Sequence, residues 1–153
     1  MIRCLFHSST HNPEANAAAG EFVSRIIWGD SRGFSPHCSM SVIDGGTPVA
    51  AVIYHNLDPD AGVIEMSAGA TSRRWLQRHV LRFMFGVAFD LLACQMAILR
   101  VSADNEAMIS IARRFGFDEF RVPRLYGRGT DGLLFCMTDD KWRQHDIAKT
   151  PSE

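Results

Sequence analysis

The sequence lacks any apolar run long enough to cross a bilayer. Its most hydrophobic stretch, Phe83 to Leu99, is cut by Asp90 and Gln95 and falls short of the roughly 20 uninterrupted residues a span requires. The first ten residues, MIRCLFHSST, lack the apolar core of a secretory leader. Both absences predict a cytoplasmic protein with no membrane partner. Cysteine is scarce: Cys4, Cys38, Cys94 and Cys136 are too few and too scattered for a disulfide framework and read as reduced, mostly buried thiols. Cys4, His7, His11 and the pair His37-Cys38 match no zinc spacing, so no metal is expected. Lysine is nearly missing, with only Lys141 and Lys149 among 16 basic residues. No repeat, low-complexity tract or linker interrupts the chain. No excess of one charge appears either: the net charge is -1 with 46% hydrophobic residues, which excludes a disordered chain. Near-neutrality also argues against nucleic acid as a partner, since duplex DNA usually meets a strongly basic domain.

What is present is one domain's worth of chain. Its 153 residues suffice to bury roughly 70% of the unfolded surface. Residues 1–145 read as a single domain and 146–153 as a flexible tail. The charge is unevenly spread: residues 1–72 sum to -4, residues 73–128 to +5 and residues 129–153 to -2. The basic middle is all arginine, whose planar fork binds phosphate oxygens in pairs. A small anionic ligand therefore fits better than a long polyanion.

Ile2 to Phe6 reads as a first strand. Asn12-Pro13-Glu14 opens a helix, with Asn as cap and Pro at the first helical position, ending near Gly29. Cys38–Ile43 and Pro48–His55 flank Asp44-Gly45-Gly46-Thr47, a hairpin signal. The turn Asp58–Gly62 then leads into a third strand, Val63 to Ala70. Leu76, Val80, Phe83, Val87 and Leu91 recur at helical spacing, while Arg74, Arg78 and Arg82 form a separate row. Met96 to Ser102 reads as a buried strand. Asp104-Asn105 caps a helix with Met108, Ile111, Ala112 and Phe115 on its apolar side, and Gly116 stops it. Phe117–Val122 and Leu133–Thr138 close the fold around the loop 123–132. The fold class is mixed α/β, on a mainly antiparallel sheet flanked by helices, with one parallel pair made by a crossover helix.

Arg73, Arg74, Arg78, Arg82 and His79 crowd the first half of the helix predicted after Ala70. Cations there oppose the positive end of the helix dipole, by about 0.3–1 kcal/mol each where exposed. Docking of an anion at that turn reverses the sign, because free backbone N–H groups and guanidinium forks then converge on it.

Val63 to Trp142 resembles the acyl-CoA-binding half of the GNAT superfamily of N-acyltransferases, and is most similar to its small ribosomal-protein-type and phage- or prophage-encoded members. The likeness rests on Val101-Ser-Ala-Asp-Asn105 followed by Gly116-Phe117, with Ser72-Arg73-Arg74-Trp75-Leu76 about 30 residues upstream. The N-terminal part agrees in element order only. The resemblance implies that Val63–Ala70 and Met96–Ser102 splay apart and admit the pantetheine arm of acetyl-CoA. Ser67, Ala68, Gly69 and Ala70 would line the opening. Arg73, Arg74, Trp75, Leu76 and Arg78 would hold the pyrophosphate end, and Asn105 and Met108 would touch the cofactor from the second helix. It further implies acetyl transfer to a primary amine (a protein N-terminus, a lysine or a small amine) by direct attack in a ternary complex.

Two positions depart from the family pattern: residues 73–79 contain no glycine, and Ala112 stands where many members place a proton-donating tyrosine. Either the thiolate leaves without full proton donation, since a thiol has a pKa of about 8.5, or Tyr126 or Cys136 substitutes as the acid. Glu65, an isolated acid on a small-residue strand, is the expected general base on one face with Ser67 and Gly69; His55 is a weaker candidate. Trp75 is placed either to stack on a ligand or to pack under the helix, and Trp28 and Trp142 belong to core or rim. A monomer or homodimer is expected. Two other functions fit the sequence: an accessory module that kept the fold without the chemistry, and an acyltransferase acting on a nucleobase, supported by Arg121, Arg124 and Arg128.

Overall fold

The computed structural model describes residues 1–149. In chain order the elements are β1 (Ile2–His7), α1 (Pro13–Trp28), β2 (His37–Asp44), β3 (Thr47–Asp58), β4 (Val63–Ala70) and α2 (Arg78–Gly86), followed by β5 (Met96–Ser102), α3 (Glu106–Arg114), β6 (Asp118–Val122), β7 (Gly132–Thr138) and α4 (Asp139–Gln144). They build one seven-stranded sheet in the order β1-β2-β3-β4-β5-β7-β6. Every neighbouring pair is antiparallel except β4 and β5. The mixed α/β architecture expected from the sequence is therefore the one observed. No helix among the described residues is long and apolar enough to cross a membrane.

The sheet is covered on both faces, which the sequence of β3 explains. Pro48 to Tyr54 is an almost unbroken apolar run, as a strand buried on two sides requires. Ala51 and Ile53 pack with Ala19 and Val23 of α1. Ala50, Val52 and Tyr54 join the larger core with α2, α3 and α4. There Phe85 packs against Trp142 in a tilted arrangement with ring centroids 4.5 Å apart. The Asp44–Thr47 turn puts Gly45 at φ 58° and Gly46 at φ 87°, both in the left-handed region a tight hairpin uses.

Several local expectations need correction. Asn12 precedes α1 at φ 58° and makes no side-chain cap; proline at the first helical position and Gly29 at φ 74° define the helix ends instead. α2 starts only at Arg78, after a loop over residues 71–77, so Arg73 and Arg74 lie in that loop and the arginine row is not one helix face. The helix then widens into a π-turn over Val87–Leu91. Val80 and Val87 of the expected stripe are buried, but the extra residue rotates the face beyond Val87, so Phe89 is buried and Leu91 is 59% exposed. The buried Tyr54 hydroxyl donates to the Met84 carbonyl at 2.7 Å beside that widening. Only Cys94 among the cysteines is fully buried; all four are unpaired. Within the expected tail, Ile147 is buried in the main core and the Asp146 carbonyl accepts from Arg78. Residues 150–153 of the expected tail lie outside the described residues.

Candidate active site

The two parallel strands separate after three rungs. Val63, Ile64 and Glu65 pair with Met96, Ala97 and Ile98, and no pair follows. Beyond that point Met66 to Ala70 bond to β3 alone, and Leu99 to Ser102 to β7 alone. The closed end is fastened by the β3–β4 turn: the Gly62 carbonyl accepts from the amides of Gln95 and Met96, and the Ala61 carbonyl from the Gln95 side chain. The open end leaves the β5-facing backbone groups of β4 without partners, a strand edge that an extended ligand can join.

The opening communicates with space on both faces of the sheet. Toward α2 and α3 lies an apolar void of about 50 Å³, lined by Ala68, Trp75, Leu76, Leu99, Met108 and Ala112 among others. Toward α1 a cavity of about 480 Å³ runs past Ser67, Ala68, Asn105, Met108 and Tyr126. It shares Ser67, Arg100 and Tyr126 with a second cavity of about 590 Å³, whose walls include Trp28, Phe34, His55 and Glu65.

Glu65 sits at the vertex, on the last paired rung. It is 8% exposed. Its neighbours follow from hairpin register, which places His55 directly across from it. A bulge after His55 and a left-handed Asn56 at φ 51° bring the Asn56 side chain to the same carboxylate. Asn56 Nδ2 donates to Glu65 Oε1 at 3.0 Å, and Glu65 Oε2 lies 3.7 Å from His55 Nε2. The same histidine nitrogen is 2.8 Å from Ser67 Oγ. Burial holds the His55 imidazole below its usual value despite the pull of Glu65, and His37 and Arg100 push it the same way as burial. The ring is therefore neutral at pH 7, and its contact with Glu65 is polar rather than a formal ion pair.

Tyr126 reaches this space from the β6–β7 loop. The loop is fixed by Asp131, which accepts from Arg121 Nε at 2.9 Å and from the Arg124 amide at 3.1 Å. It also packs onto Gly132, where any Cβ would lie 2.6–2.9 Å from atoms of Leu125 and Tyr126. Burial, reinforced by Glu65 and opposed by Arg100, raises the Tyr126 phenol above its usual value, so it keeps its proton. Cys136 lines none of these spaces, so of the two expected donors only Tyr126 borders them. Pairing with Asp131 also removes Arg121 from the basic loop that supported a nucleobase substrate.

The other expected site residues divide. Ser67 and Ala68 border the opening, and Ala70 continues the free edge. The side-chain space at Gly69 is taken by Ile26 of α1, 3.1 Å from where a Cβ would stand, so this glycine admits the helix. Trp75 and Leu76 are half-buried against the core. Arg73 and Arg74 are exposed and carry no ion pair among the described residues, whereas Arg78 is tied to the Asp146 carbonyl and His79 donates to the Ile2 carbonyl at 2.9 Å. Asn105 caps α3, its Oδ1 accepting from the Met108 amide at 3.2 Å, and the residue borders the cavity of about 480 Å³. Asn56, Phe34 and Arg100 were missed; the register of the Asp58–Gly62 turn alone carried a signal, for the His55–Glu65 pair. Among the described residues no three His, Cys, Asp or Glu side chains gather as a metal would need.

A sheet split at its parallel pair, with an acid at the vertex and helices on both faces, is the GNAT fold. No protein-family model matches the sequence. Among solved structures, mutant forms of the spermidine/spermine N-acetyltransferase SpeG from Vibrio cholerae superpose with a TM-score of 0.72 at 10% identity over 92% of this chain and 96% of that one. A protein described as a probable acetyltransferase matches with a TM-score of 0.58 at 19% identity over 68% of this chain, and is covered over 62% of its own length. At these identities the likeness establishes the fold.

Proposed function

We propose that the protein is an N-acetyltransferase that takes an acetyl group from acetyl-CoA and places it on a primary amine, with both substrates bound at once. The observation that carries this reading is the opening of β4 and β5 immediately beyond Glu65. The residues fit acetyl-CoA on three counts. Small side chains and a free strand edge at Met66–Ala70 accept an extended arm, Arg73 and Arg74 stand unpaired at its outer end, and the first amides of α2 have no intrahelical acceptor. The glycine-free loop makes this pyrophosphate site depend more on guanidinium forks than on bare backbone. Acetyl-CoA, when bound, supplies the acetyl group as a thioester.

The chain's own groups do the rest. Glu65, steadied by Asn56, takes the proton from the acceptor ammonium so that a neutral amine forms in the cavity of about 590 Å³. Neutral His55 and Ser67 extend the hydrogen-bonded path by which that proton leaves. A backbone N–H in Ala68–Ala70 would stabilise negative charge on the carbonyl oxygen of a bound thioester. The Tyr126 phenol would supply a proton to the sulfur as it leaves. The pattern of Asn105 and Gly116-Phe117 behind Ser72–Leu76 supports placing it with the small ribosomal-protein- or phage-type members that the sequence resembles. SpeG and the other solved acetyltransferases support this reading through fold.

The glycine-free loop and buried Ala112 favour a second reading, an accessory protein that binds without turnover. Thermal melting with acetyl-CoA, followed by thiol release over an amine panel, separates the two. The proposal expects a raised melting temperature and amine-dependent thiol release. No stabilisation at millimolar acetyl-CoA contradicts the acetyltransferase reading; no turnover together with a stable protein partner in pull-downs selects the accessory one.

A further inference from the structure

The acceptor cavity carries both signs of charge, and one of its two cations is already neutralised. Arg32 grips Asp30 through Nε at 3.1 and 3.2 Å and Nη2 at 2.8 Å, while its guanidinium stacks over Trp28 at 4.8 Å. Arg100 is different. It lies on β5 two residues beyond Ile98, the partner of Glu65, which is about 7 Å further along the strand. It lines both α1-face cavities and has no carboxylate partner among the described residues. The only acid in either lining is Glu65, which already receives Asn56. The cavity therefore offers one place for an ammonium and, one strand away, a vacant bidentate fork suited to a carboxylate or phosphate. Trp28 and Phe34, 4.9 Å apart, wall the space beside them with apolar surface.

Resting on the acetyltransferase reading above, we propose that the acceptor is a small amine carrying its own anionic group, amino-acid-like in layout, with its ammonium at Glu65 and its anion on Arg100. A polyamine suits this cavity poorly, because its second ammonium meets Arg100 with no second acid to receive it.

Matched acceptors test this directly: phenylalanine against phenylalaninamide, phosphoethanolamine against ethanolamine, and spermidine. The first comparison reads a carboxylate, the second a phosphate. The expected result is a KM at least about tenfold lower for the anionic member of one or both pairs, a preference that collapses toward unity in Arg100→Gln and is partly kept in Arg100→Lys. A preference for spermidine or for the neutral members overturns the proposal. So does a preference that survives Arg100→Gln, or a variant that raises only the KM for acetyl-CoA. Calorimetry with the same pairs in the presence of CoA reads selectivity without turnover. Equal affinities there overturn the proposal, whereas the absence of amine-dependent thiol release across the wider amine panel overturns the acetyltransferase reading and leaves the calorimetric preference as the judge of the site.

Discussion

Glu65 is held in a setting that few surface acids share: buried, fixed on one oxygen by Asn56, and facing a neutral histidine across the other. Replacement by glutamine keeps the Asn56 contact and the shape while removing the ability to take a proton. Glu65→Gln is expected to lower amine-dependent thiol release by about 10²–10⁴-fold while the melting temperature with acetyl-CoA stays near that of the parent; unchanged turnover removes Glu65 from the reaction. Two other buried side chains make stability depend on pH. His7, 5% exposed, has its imidazole lowered by burial and by nearby His11, and His55 is lowered by burial. Both take up protons more readily in the unfolded chain. Their contribution is thus complete above the ordinary value of 6.5 and is lost as pH falls through the lowered folded values. The melting temperature should drop from about pH 7.5 to about pH 5, and drop less in His7→Gln. A flat or rising profile on acidification contradicts this assignment.

At the scale of elements, the loop after β4 carries two of the arginines that the sequence placed on a helix. Arg73 and Arg74 lie in 71–77 with no ion-pair partner among the described residues, while Arg78 and His79 are spent on backbone carbonyls. Alanine at both positions 73 and 74 should raise the KM for acetyl-CoA roughly tenfold and flatten its dependence on salt, with kcat nearly unchanged; an unaltered KM places the pyrophosphate elsewhere. The strands, their order along the chain and the helices α1 and α3 were legible because apolar alternation, the Asp44–Thr47 hairpin, Pro13 at the start of α1, the Asn105 cap and the Gly116 stop are local signals. The start of α2, the π-turn and α4 were not. Gln77 supplies no capping side chain, the π-turn is a tertiary response to packing around Tyr54, and Asp139–Gln144 is a six-residue helix that depends on burying Trp142. The site was half legible for the same reason. Glu65 stands out as a lone acid on a small-residue strand, but its union with Asn56 and Ser67 needs a bulge and a cross-strand register, and Arg100 acquires meaning only once β5 diverges from β4.

At the scale of the whole molecule, a seven-stranded sheet is sealed on both faces and along every seam but one. The single parallel pair is closed at one end by the Gly62 carbonyl and open at the other, and the charge follows that geometry, with the exposed unpaired arginines 73 and 74 at the outer mouth and Glu65 at the inner vertex. The most direct measurement is hydrogen exchange of the intact protein with and without acetyl-CoA. Binding in the opening predicts slower exchange for amides within Met66–Ala70 and at the start of α2, with the β1–β2 pair unchanged. Exchange at Met66–Ala70 that is unaltered while acetyl-CoA is demonstrably bound contradicts the account.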